Sequence, residues 1–586
     1  MKRTHTCGEL NKSHLGQEVR LSGWVHRIRD HGGVYFVDLR DRYGITQLVM
    51  NPEVSPGAHA LAARLRSEYV ISAWGTVTER PEGTVNPKLP TGEIEVKVNK
   101  LEILSESKTP PFPIADDVQV NEEIRLKYRY LDLRRSNMLK NLALRHKVVL
   151  AARNYLSEEE GFLEIETPIL TKSTPEGARD YLVPSRIEPG SFYALPQSPQ
   201  LLKQLLMIGG IDKYFQISRC FRDEDLRADR QPEFTQIDME MSFVEQDDIF
   251  RVVDRLMHAC FKAGLDIEIE TPFKRMSYPD ALDLYGTDKP DTRYELLLQD
   301  VTETARESSS EAFRSAIEKG GVVKGLRLPG CARYSRKNID DLAAFASGYG
   351  ALGLSYIKIG EEGTTSPLAK FFEPAVFEKL VREMGGTKGD LLILTAGERK
   401  KVNESLGAVR TKVATEEGLI PEGQFALLWV VDFPLFAYNE EEQRFESEHH
   451  PFTSPAEEDI ALLDTDPSKV RSASYDLVLN GVEVGSGSVR IHNAEVQKKV
   501  FRLLKLTEEE IEQRFGFFTE ALQYGTPPHA GVAPGLDRII RIMAGADSIR
   551  DVIAFPKTQK ASDLMTGSPS PVNERQLREL HIKIVK

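Results

Sequence analysis

Residues 221–236, FRDEDLRADRQPEFTQ, constrain the fold most strongly, because they pack charges of both signs between two apolar, alternating segments. The segment before them, residues 214–220, and the segment that ends them, residues 234–243, alternate as half-buried strands do. We therefore predict a hairpin here, with a long polar loop around residues 227–229.

The charged residues of this hairpin suit a charged ligand. Arg222 carries a planar guanidinium that can bind phosphate or carboxylate through two parallel hydrogen bonds. Glu224 can orient that arginine or accept from an amino group, and Phe234 offers a flat face to a nucleotide base. Taken alone, the segment is also compatible with a solvated charged hairpin, since surface ion pairs contribute little to stability.

Two further segments complete a pattern. Residues 161–170, GFLEIETPIL, form an alternating strand stopped by Pro168, and residues 533–538, APGLDR, open an apolar helix. Together with residues 221–236 they resemble motifs one, two and three of the class II aminoacyl-tRNA synthetases. The strings TPEGARD at 174–180 and GTPPHAG at 525–531 narrow this resemblance to the bacterial-type aspartyl-tRNA synthetases, and it covers essentially the whole chain.

A chain of 586 residues is too long for one core. The resemblance implies an α+β multidomain fold, with an OB-fold β-barrel, an antiparallel catalytic sheet flanked by helices, and an inserted α+β domain. The expected bounds are 1–108 for the anticodon-binding barrel, 109–121 for a linker, 122–287 and 424–586 for the two parts of the catalytic domain with a C-terminal extension, and 288–423 for the insertion.

Composition favours a protein without a membrane segment. Of the residues, 40% are hydrophobic and 28% charged, and no run approaches the roughly 18 to 20 apolar residues that a membrane span needs. The start of the chain has no apolar signal region, so we expect a cytoplasmic protein. The four cysteines lack CxxC spacing, which indicates buried free thiols rather than disulfides or a zinc site.

The net charge of −13 is unevenly distributed. Residues 1–108 hold 15 Lys and Arg against 13 Asp and Glu, a net charge of +2, which leaves −15 for the remainder. The barrel is therefore the best candidate for binding the acidic tRNA. Arg29, Phe36 and Gln47 combine a cation, a stacking ring and an amide, as readers of single-stranded nucleic acid do. The residues alone also fit a solvated face, but the resemblance places all three on anticodon-contact positions.

The resemblance assigns the catalytic arginines and the ATP site. Arg222 is expected at the α-phosphate and the reacting carboxylate, and Arg538 at the γ-phosphate end, while Phe234 stacks on adenine. Positioned cations of this kind stabilise an in-line attack of a carboxylate on phosphorus. The expected ATP-binding residues are Arg222, Asp223, Glu224, Gln231, Phe234, Glu483, Gly535, Leu536, Asp537 and Arg538.

Magnesium is the expected metal. Asp476 and Glu483 flank the hairpin turn Asn480-Gly481 and can meet on opposing strands. Mg²⁺ prefers oxygen ligands, commonly one or two carboxylates together with substrate phosphates. Both acids match metal-coordinating positions of the family, although a surface hairpin would show the same spacing.

The substrate L-aspartate carries two carboxylates and an ammonium. Its side-chain carboxylate needs paired cations, because a buried charge without a partner is costly. The resemblance gives that role to Lys203 and Arg490, and His450 can share the contact made by its neighbour in the substrate loop. The full set of expected aspartate-binding residues is Glu176, Gln200, Lys203, Arg222, Asp238, His449 and Arg490.

These residues predict an ATP-dependent ligase that forms aspartyl-adenylate, transfers aspartate to tRNA and works as a homodimer through motif one. A noncatalytic tRNA-binding paralogue would lack one of the two arginines or the two acids, and all four are present. An asparagine-specific relative is disfavoured on the argument that a neutral amide would leave Lys203 and Arg490 as uncompensated buried charges.

The barrel also carries a prediction about tRNA choice. The anticodons of tRNA(Asp) and tRNA(Asn) differ only in their third base, and relatives that accept both carry His and Gly where this chain has His31 and Gly83. A His ring can donate or accept at either pyrimidine, and Gly removes a side chain that could reject one. We therefore expect both tRNAs to be charged, which requires a separate amidotransferase to convert Asp-tRNA(Asn). The alternative is an enzyme strict for tRNA(Asp), with His31 a plain loop residue and Gly83 a plain turn former.

Overall fold

The computed structural model describes residues 2–174, 178–226 and 229–585. The described residues form two compact units. One unit comprises residues 2–145, 226 and 546–571, and the other comprises residues 146–174, 178–225, 229–545 and 572–585.

The first unit begins with a closed five-stranded barrel. Side chains alternate between the core and the outside along each strand, and the inward residues Leu21, Val37, Leu48 and Ile71 are fully buried. The strands close in the order β1-β2-β3-β5-β4, with β3 and β5 parallel and the other pairs antiparallel. The OB-fold prediction is confirmed. The elements are β1 (Glu18–His31), β2 (Val34–Arg40), β3 (Ile45–Met50), α1 (Pro56–Ala62), β4 (Val70–Glu79) and β5 (Ile94–Ser105).

Three helices follow: α2 (Glu122–Lys127), α3 (Arg129–Asp132) and α4 (Ser136–Asn154), which a π-helical turn, Tyr155–Glu159, continues. Residues 109–121, predicted as a linker, contain no helix or strand, and all of them are described. Phe112 and Ile114 from this stretch are nevertheless buried against Leu131. The segment is therefore packed in place.

The second unit opens with the elements that carry the charged hairpin. Strands β9 and β10 pair antiparallel on either side of the predicted polar loop, so the hairpin forms as the alternation indicated. The elements are β6 (Leu163–Glu164), β7 (Leu182–Pro184), β8 (Phe192–Ala194), α5 (Gln200–Ile208), β9 (Lys213–Phe221), β10 (Glu233–Ser242), α6 (Gln246–Leu265), β11 (Lys274–Ser277) and α7 (Tyr278–Tyr285).

A separate five-stranded sheet lies within the predicted insertion. Its order is β12-β13-β16-β14-β15, and its pairs are antiparallel. Successive residues of the apolar strand β16 enter two different cores, since Leu391 and Ile393 pack in one cluster and Leu392 and Leu394 in another. Helices therefore cover both faces. The elements are β12 (Gln299–Asp300), α8 (Thr302–Arg306), α9 (Glu311–Glu318), β13 (Val322–Leu328), α10 (Arg336–Ser347), β14 (Ser355–Gly360), β15 (Gly363–Thr365), α11 (Pro374–Glu383), β16 (Leu391–Gly397) and α12 (Arg399–Glu416).

The remaining elements include the strands that complete an eight-stranded sheet in the order β11-β17-β20-β21-β22-β10-β9-β6. Its interior pairs are antiparallel, as predicted, and only the edge pairs β11–β17 and β6–β9 are parallel. The elements are β17 (Leu427–Val431), β18 (Phe436–Asn439), β19 (Arg444–Ser447), β20 (Ser474–Leu479), β21 (Val482–Val489), α13 (Ala494–Leu503), α14 (Glu508–Ala521), β22 (His529–Pro534), α15 (Leu536–Met543) and α16 (Glu574–Glu579).

One expected element, the motif-one strand, is much shorter than predicted. The motif-one strand over 161–170 is reduced to Leu163–Glu164, because it pairs at the sheet edge with β9 alone and Pro168 cannot donate to a ladder. The last helix, α16, ends at Glu579, and His581, with a φ of 56°, lies just beyond its end in the left-handed region.

The cysteines and the helix lengths bear on two further expectations. All four cysteines are buried and unpaired, and all lie in the described ranges. Among the residues that the structure describes, no helix is both long and apolar enough to cross a lipid bilayer.

Candidate functional site

Four buried charges form a network between helix α5 and strands β10 and β21. Lys203 of α5 donates through Nζ to Asp238 Oδ1 at 2.7 Å and lies 3.3 Å from Glu240 Oε2. Arg490, directly after β21, donates through Nε and Nη2 to the two carboxylate oxygens of Glu240 at 2.9 and 3.1 Å. Asp238 and Glu240 are two residues apart on one strand, so both face the same side. The network therefore pairs two cations with two carboxylates.

The two carboxylates respond differently to this environment. Burial raises the pKa of Asp238, and the charge and hydrogen bond of Lys203 only partly offset that rise. Burial also opposes ionisation of Glu240, but the charges of Arg490 and Lys203 outweigh it and lower the pKa of Glu240. Glu240 is thus the firmly ionised carboxylate that holds Arg490.

His450 and Ser488 contact the other terminal nitrogen of Arg490. Arg490 Nη1 lies 2.8 Å from His450 Nε2 and 2.7 Å from Ser488 Oγ. An arginine can only donate, so His450 accepts through Nε2. Burial and the charge of Arg490 hold the pKa of His450 well below its usual range, which keeps the ring neutral. The sequence had predicted His450 beside the substrate, and the structure brings it to Arg490 directly.

Several buried polar atoms around this network have no hydrogen-bond partner within the described ranges, namely Asp238 Oδ2, Gln200 Nε2 and Arg222 Nε. Buried donors and acceptors without partners are costly, and they commonly mark where a polar ligand completes the hydrogen bonding. The predicted residues Gln200, Arg222 and Asp238 therefore share the property expected of a polar substrate site. Glu176, also predicted here, lies outside the described residues.

Arg222 and Phe234 come together at the base of the charged hairpin. Arg222 directly follows β9 and Phe234 is the second residue of β10, and the guanidinium carbon lies 5.0 Å from the ring centroid. Gln231, three residues before Phe234 in the chain, is also buried. Asp223 lies 3.7 Å from an arginine of the preceding segment, and Glu224 accepts a hydrogen bond from an arginine of its own loop at 2.8 Å.

Helix α15 joins the same sheet through its first turn. Gly535 donates its amide to the backbone of β21 at 2.6 Å, and Asp537 Oδ2 accepts a backbone amide of β10 at 2.7 Å. Leu536 is fully buried. Arg538 donates through Nη1 to the carbonyl oxygen of Glu483 at 2.9 Å. The helix therefore brings its arginine to the strand that carries one of the two predicted metal ligands.

Asp476 and Glu483 lie on neighbouring strands of the predicted hairpin. Both turn residues, Asn480 and Gly481, have positive φ, as an Asn-Gly hairpin turn requires. The acids do not pair directly, because Asp476 lies opposite Ser486 and Glu483 opposite residue 478, two positions along β20.

The acid pair fits a divalent cation. Burial and the charge of Asp476 together raise the pKa of Glu483. His449 Nε2 lies 3.3 Å from Asp476 Oδ1. Burial alone would lower the pKa of His449, but the hydrogen bond and charge of Asp476 outweigh it and raise that pKa. Two mutually repelling carboxylates are oxygen donors of the kind that Mg²⁺ takes. No third His, Cys, Asp or Glu completes a metal-binding group in the part of the chain that the structure describes, so other ligands would have to come from substrate or water.

Sequence reasoning missed Glu240 and with it the charge balance of the network. The argument that a neutral amide would leave Lys203 and Arg490 uncompensated is wrong, because Asp238 and Glu240 already pair with both. The signal was present in the strand FTQIDMEMSF, where two acids at alternate positions share one face.

The predicted anticodon residues cluster on one face of the barrel. Arg29 and Phe36 are direct cross-strand partners, and Arg29 Nη2 contacts Asp38 Oδ1 at 2.7 Å and Gln47 Oε1 at 3.2 Å. Gln47 in turn donates to Glu95 Oε2 at 3.0 Å. Burial raises the pKa of Glu95. Glu95 was not predicted, because its partner comes from a strand distant in sequence.

His31 joins this face, and Gly83 has a separate structural role. The His31 ring centroid lies 5.7 Å from that of Phe36 in an edge-on contact. Gly83 has a φ of 78°, and a Cβ added there would meet nothing within 4 Å. The backbone conformation by itself therefore favours glycine at this position.

The family models agree with this geometry. The model described as "tRNA synthetases class II (D, K and N)" matches residues 121–559, and an OB-fold nucleic acid binding domain matches residues 19–104. The first match covers well over half of the chain.

Two curated relatives and one solved structure illustrate the similarity. The chain is 56% identical over 584 residues to "Aspartate--tRNA(Asp/Asn) ligase" of Protochlamydia amoebophila (strain UWE25), covering 100% of this chain and 97% of that protein. It is 55% identical over 586 residues to "Aspartate--tRNA ligase" of Geobacillus kaustophilus (strain HTA426), covering 100% and 99%. Asparaginyl-tRNA synthetase from Pyrococcus horikoshii, solved with asparaginyl-adenylate, matches with a TM-score of 0.60 at 19% identity over 95% of this chain and 99% of that one.

Proposed function

The chain belongs to the class II tRNA synthetases of the D, K and N group, and from that premise we propose that it ligates aspartate to both tRNA(Asp) and tRNA(Asn) at the expense of ATP. Relatives more than 50% identical along their whole length carry the name "Aspartate--tRNA(Asp/Asn) ligase". The observation that carries the substrate assignment is the buried pair Lys203 and Arg490, held in place by Asp238 and Glu240.

In the first step an oxygen of the aspartate α-carboxylate attacks the α-phosphorus of ATP. The bond from that phosphorus to the bridging oxygen breaks, pyrophosphate leaves, and aspartyl-adenylate forms. Arg222 offers a guanidinium with a buried Nε that lacks a partner among described residues, and its role is to hold the α-phosphate and the attacking carboxylate together. Arg538 holds the far phosphates, and Phe234 supports adenine.

Asp476 and Glu483 would hold Mg²⁺, which supplies positive charge against the phosphate oxygens when bound. In the second step the terminal ribose hydroxyl of tRNA attacks the carbonyl carbon of the adenylate and AMP leaves. The ring of His450 stays neutral, so its part is to orient Arg490 rather than to add charge.

The aspartate side chain is selected by Arg490 and Lys203. Arg490 is oriented by two parallel hydrogen bonds that it donates to Glu240 and by further contacts with His450 and Ser488. These contacts engage four of the five N–H groups of Arg490 and leave one, on Nη2, for the carboxylate of the substrate side chain. Asp238 and Glu176 are assigned to the substrate ammonium.

We propose a homodimer that buries the motif-one region. Leu163, Leu170, Leu182 and Phe192 are each about half exposed or more, at 55%, 51%, 55% and 47%. Residue 171 pairs with residue 194 at the end of β8, so Leu170, Leu182 and Phe192 belong to adjoining segments. Apolar surface gathered in this way commonly marks a protein interface.

The location is proposed to be the cytoplasm, where tRNA is charged. If tRNA(Asn) receives aspartate, the cell needs an amidotransferase that converts the attached aspartate to asparagine. The competing proposal is an enzyme that charges tRNA(Asp) alone. The Geobacillus kaustophilus relative, whose name "Aspartate--tRNA ligase" mentions no tRNA(Asn), is consistent with this alternative.

Aminoacylation of purified tRNA(Asp) and tRNA(Asn) transcripts with aspartate decides between them. We expect kcat/KM values within about 10²-fold of each other for the wild-type enzyme, and greater discrimination in His31→Leu, since one wrong base typically costs about 1 to 3 kcal/mol. A larger ratio in favour of tRNA(Asp), or no gain in discrimination from the substitution, contradicts relaxed recognition.

A further inference from the structure

Lys289, a residue of the predicted insertion, lies next to the acid pair Asp476 and Glu483. It is the second residue of the predicted insertion, in the segment DKPD at 288–291, and its Nζ lies 3.4 Å from Glu483 Oε2. The same Nζ lies 3.7 Å from Asp288 Oδ2. The insertion therefore contributes a cation to the site where the sequence predicted only two acids.

Contacts of the neighbouring residue Asp291 fix the segment that carries Lys289. Asp291, two residues on, packs on the Asn-Gly turn between β20 and β21 so closely that a Cβ at Gly481 would lie 3.0 Å from the Asp291 Cβ. The carbonyl of Asp291 also accepts a hydrogen bond at 2.8 Å from Arg410 of helix α12, a fully buried arginine. The lysine is thus carried by a short segment fixed to the hairpin at one end and to the insertion core at the other.

The electrostatics are those of a counter-ion. Burial alone would lower the pKa of Lys289, but the charges of Glu483 and Asp288 outweigh it and raise the pKa, and Asp476 adds to the rise. Arg538 also opposes the charge of Glu483, but it donates to the Glu483 carbonyl rather than to its carboxylate. Lys289 is therefore the cation in contact with the carboxylate itself.

We propose that Lys289 is the resident counter-ion of the pair Asp476–Glu483 and that a divalent cation must displace it, so that metal enters this site with nucleotide rather than ahead of it. The inference rests on the metal site of the proposed function. A divalent ion approaching the free protein meets one ammonium already paired to a ligand carboxylate, and like charges repel. Nucleotide phosphates bring negative charge that attracts both cations and releases the carboxylate for the metal.

The test is a direct titration of the full chain with Mn²⁺, in which the electron paramagnetic resonance signal reports the free Mn²⁺. The titration is done once without nucleotide and once with a nonhydrolysable ATP analogue. Lys289→Met keeps most of the side-chain volume and removes the charge. Without nucleotide we expect it to bind Mn²⁺ about fivefold to tenfold more tightly than wild type, a modest factor because the lysine is partly exposed. The strengthening of Mn²⁺ binding by the analogue should shrink by a similar factor, because the variant has no lysine for the phosphates to draw away from Glu483.

Three further variants make the result unambiguous. Lys289→Arg keeps the charge and should behave as wild type. Lys262→Met removes a surface lysine that also pairs with two carboxylates, at 2.8 and 3.1 Å from Asp266 and Glu268, and should change nothing. Glu483→Gln should lose Mn²⁺ binding at this site.

The outcomes separate the inference from its premise. Mn²⁺ affinity that is unchanged or weaker in Lys289→Met, while Glu483→Gln loses binding, overturns the role of Lys289 and leaves the metal site intact. Wild-type Mn²⁺ binding in Glu483→Gln overturns the metal site and the inference together. A lysine with only a structural role predicts weaker metal binding on its removal, which is the opposite sign.

Discussion

Replacing Glu240 by glutamine tests what holds Arg490 in place. The substitution keeps the shape of the side chain and removes its charge. Glu240 accepts two parallel bonds from Arg490 at 2.9 and 3.1 Å, and an amide offers only one acceptor oxygen. The NH₂ group of the new side chain would face a nitrogen of Arg490 that can only donate, so the guanidinium must turn.

The size of the effect follows from these contacts. A hydrogen bond to a charged group is worth about 1.5 to 3 kcal/mol, and a misplacement of about 1 Å at a reacting centre costs about 10²-fold in rate. Loss of one of the two hydrogen bonds between Arg490 and residue 240, together with misorientation of the guanidinium, therefore predicts a fall of about 10² to 10³-fold in kcat/KM for aspartate, or about 3 to 4 kcal/mol.

ATP–pyrophosphate exchange with aspartate measures this step without tRNA. Ser488→Ala is the matched control, because it removes one neutral contact of the same guanidinium at 2.7 Å and should cost about 1 kcal/mol, or about fivefold. Binding of tRNA should be unchanged in both variants.

A different result would refute the reasoning in a specific way. Glu240→Gln raises the net charge of the network by one unit, so an increase in aspartate affinity would mean that net charge, rather than the aim of Arg490, controls binding. Loss no larger than that of Ser488→Ala would mean that Glu240 does not position the arginine at all.

Four further variants or measurements follow from the same geometry. Arg222→Ala should reduce ATP–pyrophosphate exchange by about 10² to 10³-fold while tRNA binding, measured by filter retention, is kept; near wild-type exchange would contradict the motif-two assignment. Arg490→Leu should abolish exchange with aspartate without creating exchange with asparagine, because Glu240 then loses its main cation, and efficient asparagine activation would count against this. Nitrogen-15 NMR of labelled histidine should show that the His450 ring is neutral at pH 6. Because the pKa of His450 is lower in the folded than in the unfolded protein, its contribution to stability falls as pH drops through about 6.5. Leu170→Asp should shift the protein to monomer in analytical ultracentrifugation, and an unchanged dimer would exclude this surface.

Local patterns were enough to predict the hairpins that build the site. The alternation around residues 221–236 predicted strands β9 and β10, and the turn Asn480-Gly481 predicted β20 and β21, because strand period and turn chemistry act over a few residues. The lengths of the strands and helices were harder to predict from the sequence. The motif-one strand depends on which neighbour it pairs with at the sheet edge, and that neighbour lies about fifty residues away in the chain.

Contacts between distant segments could not be predicted from local pattern. Lys289 lies 194 residues before Glu483, and nothing around DKPD indicates that it faces an acid. His450 is a similar case, since its contact with Arg490 depends on how the preceding loop crosses the sheet. The family resemblance supplied positions for the residues expected to contact substrate, but it left out Glu240 and Lys289, which pair with them.

The charge balance of the network changes how selection between aspartate and asparagine has to be explained. Lys203, Arg490, Asp238 and Glu240 are mutually compensated before any substrate arrives, so a count of charges would not favour aspartate over the neutral amide. The donor pattern does favour it. Lys203 and Arg490 present only N–H groups, and a carboxylate accepts from both, whereas an amide must turn its own NH₂ toward one of them. The resulting unpaired buried donors account for rejection by about 10⁴-fold or more in sites of this kind. Selectivity of this origin requires Arg490 to be held at a fixed angle, and we therefore expect a change at Glu240, which pairs with both Nε and Nη2, to weaken discrimination.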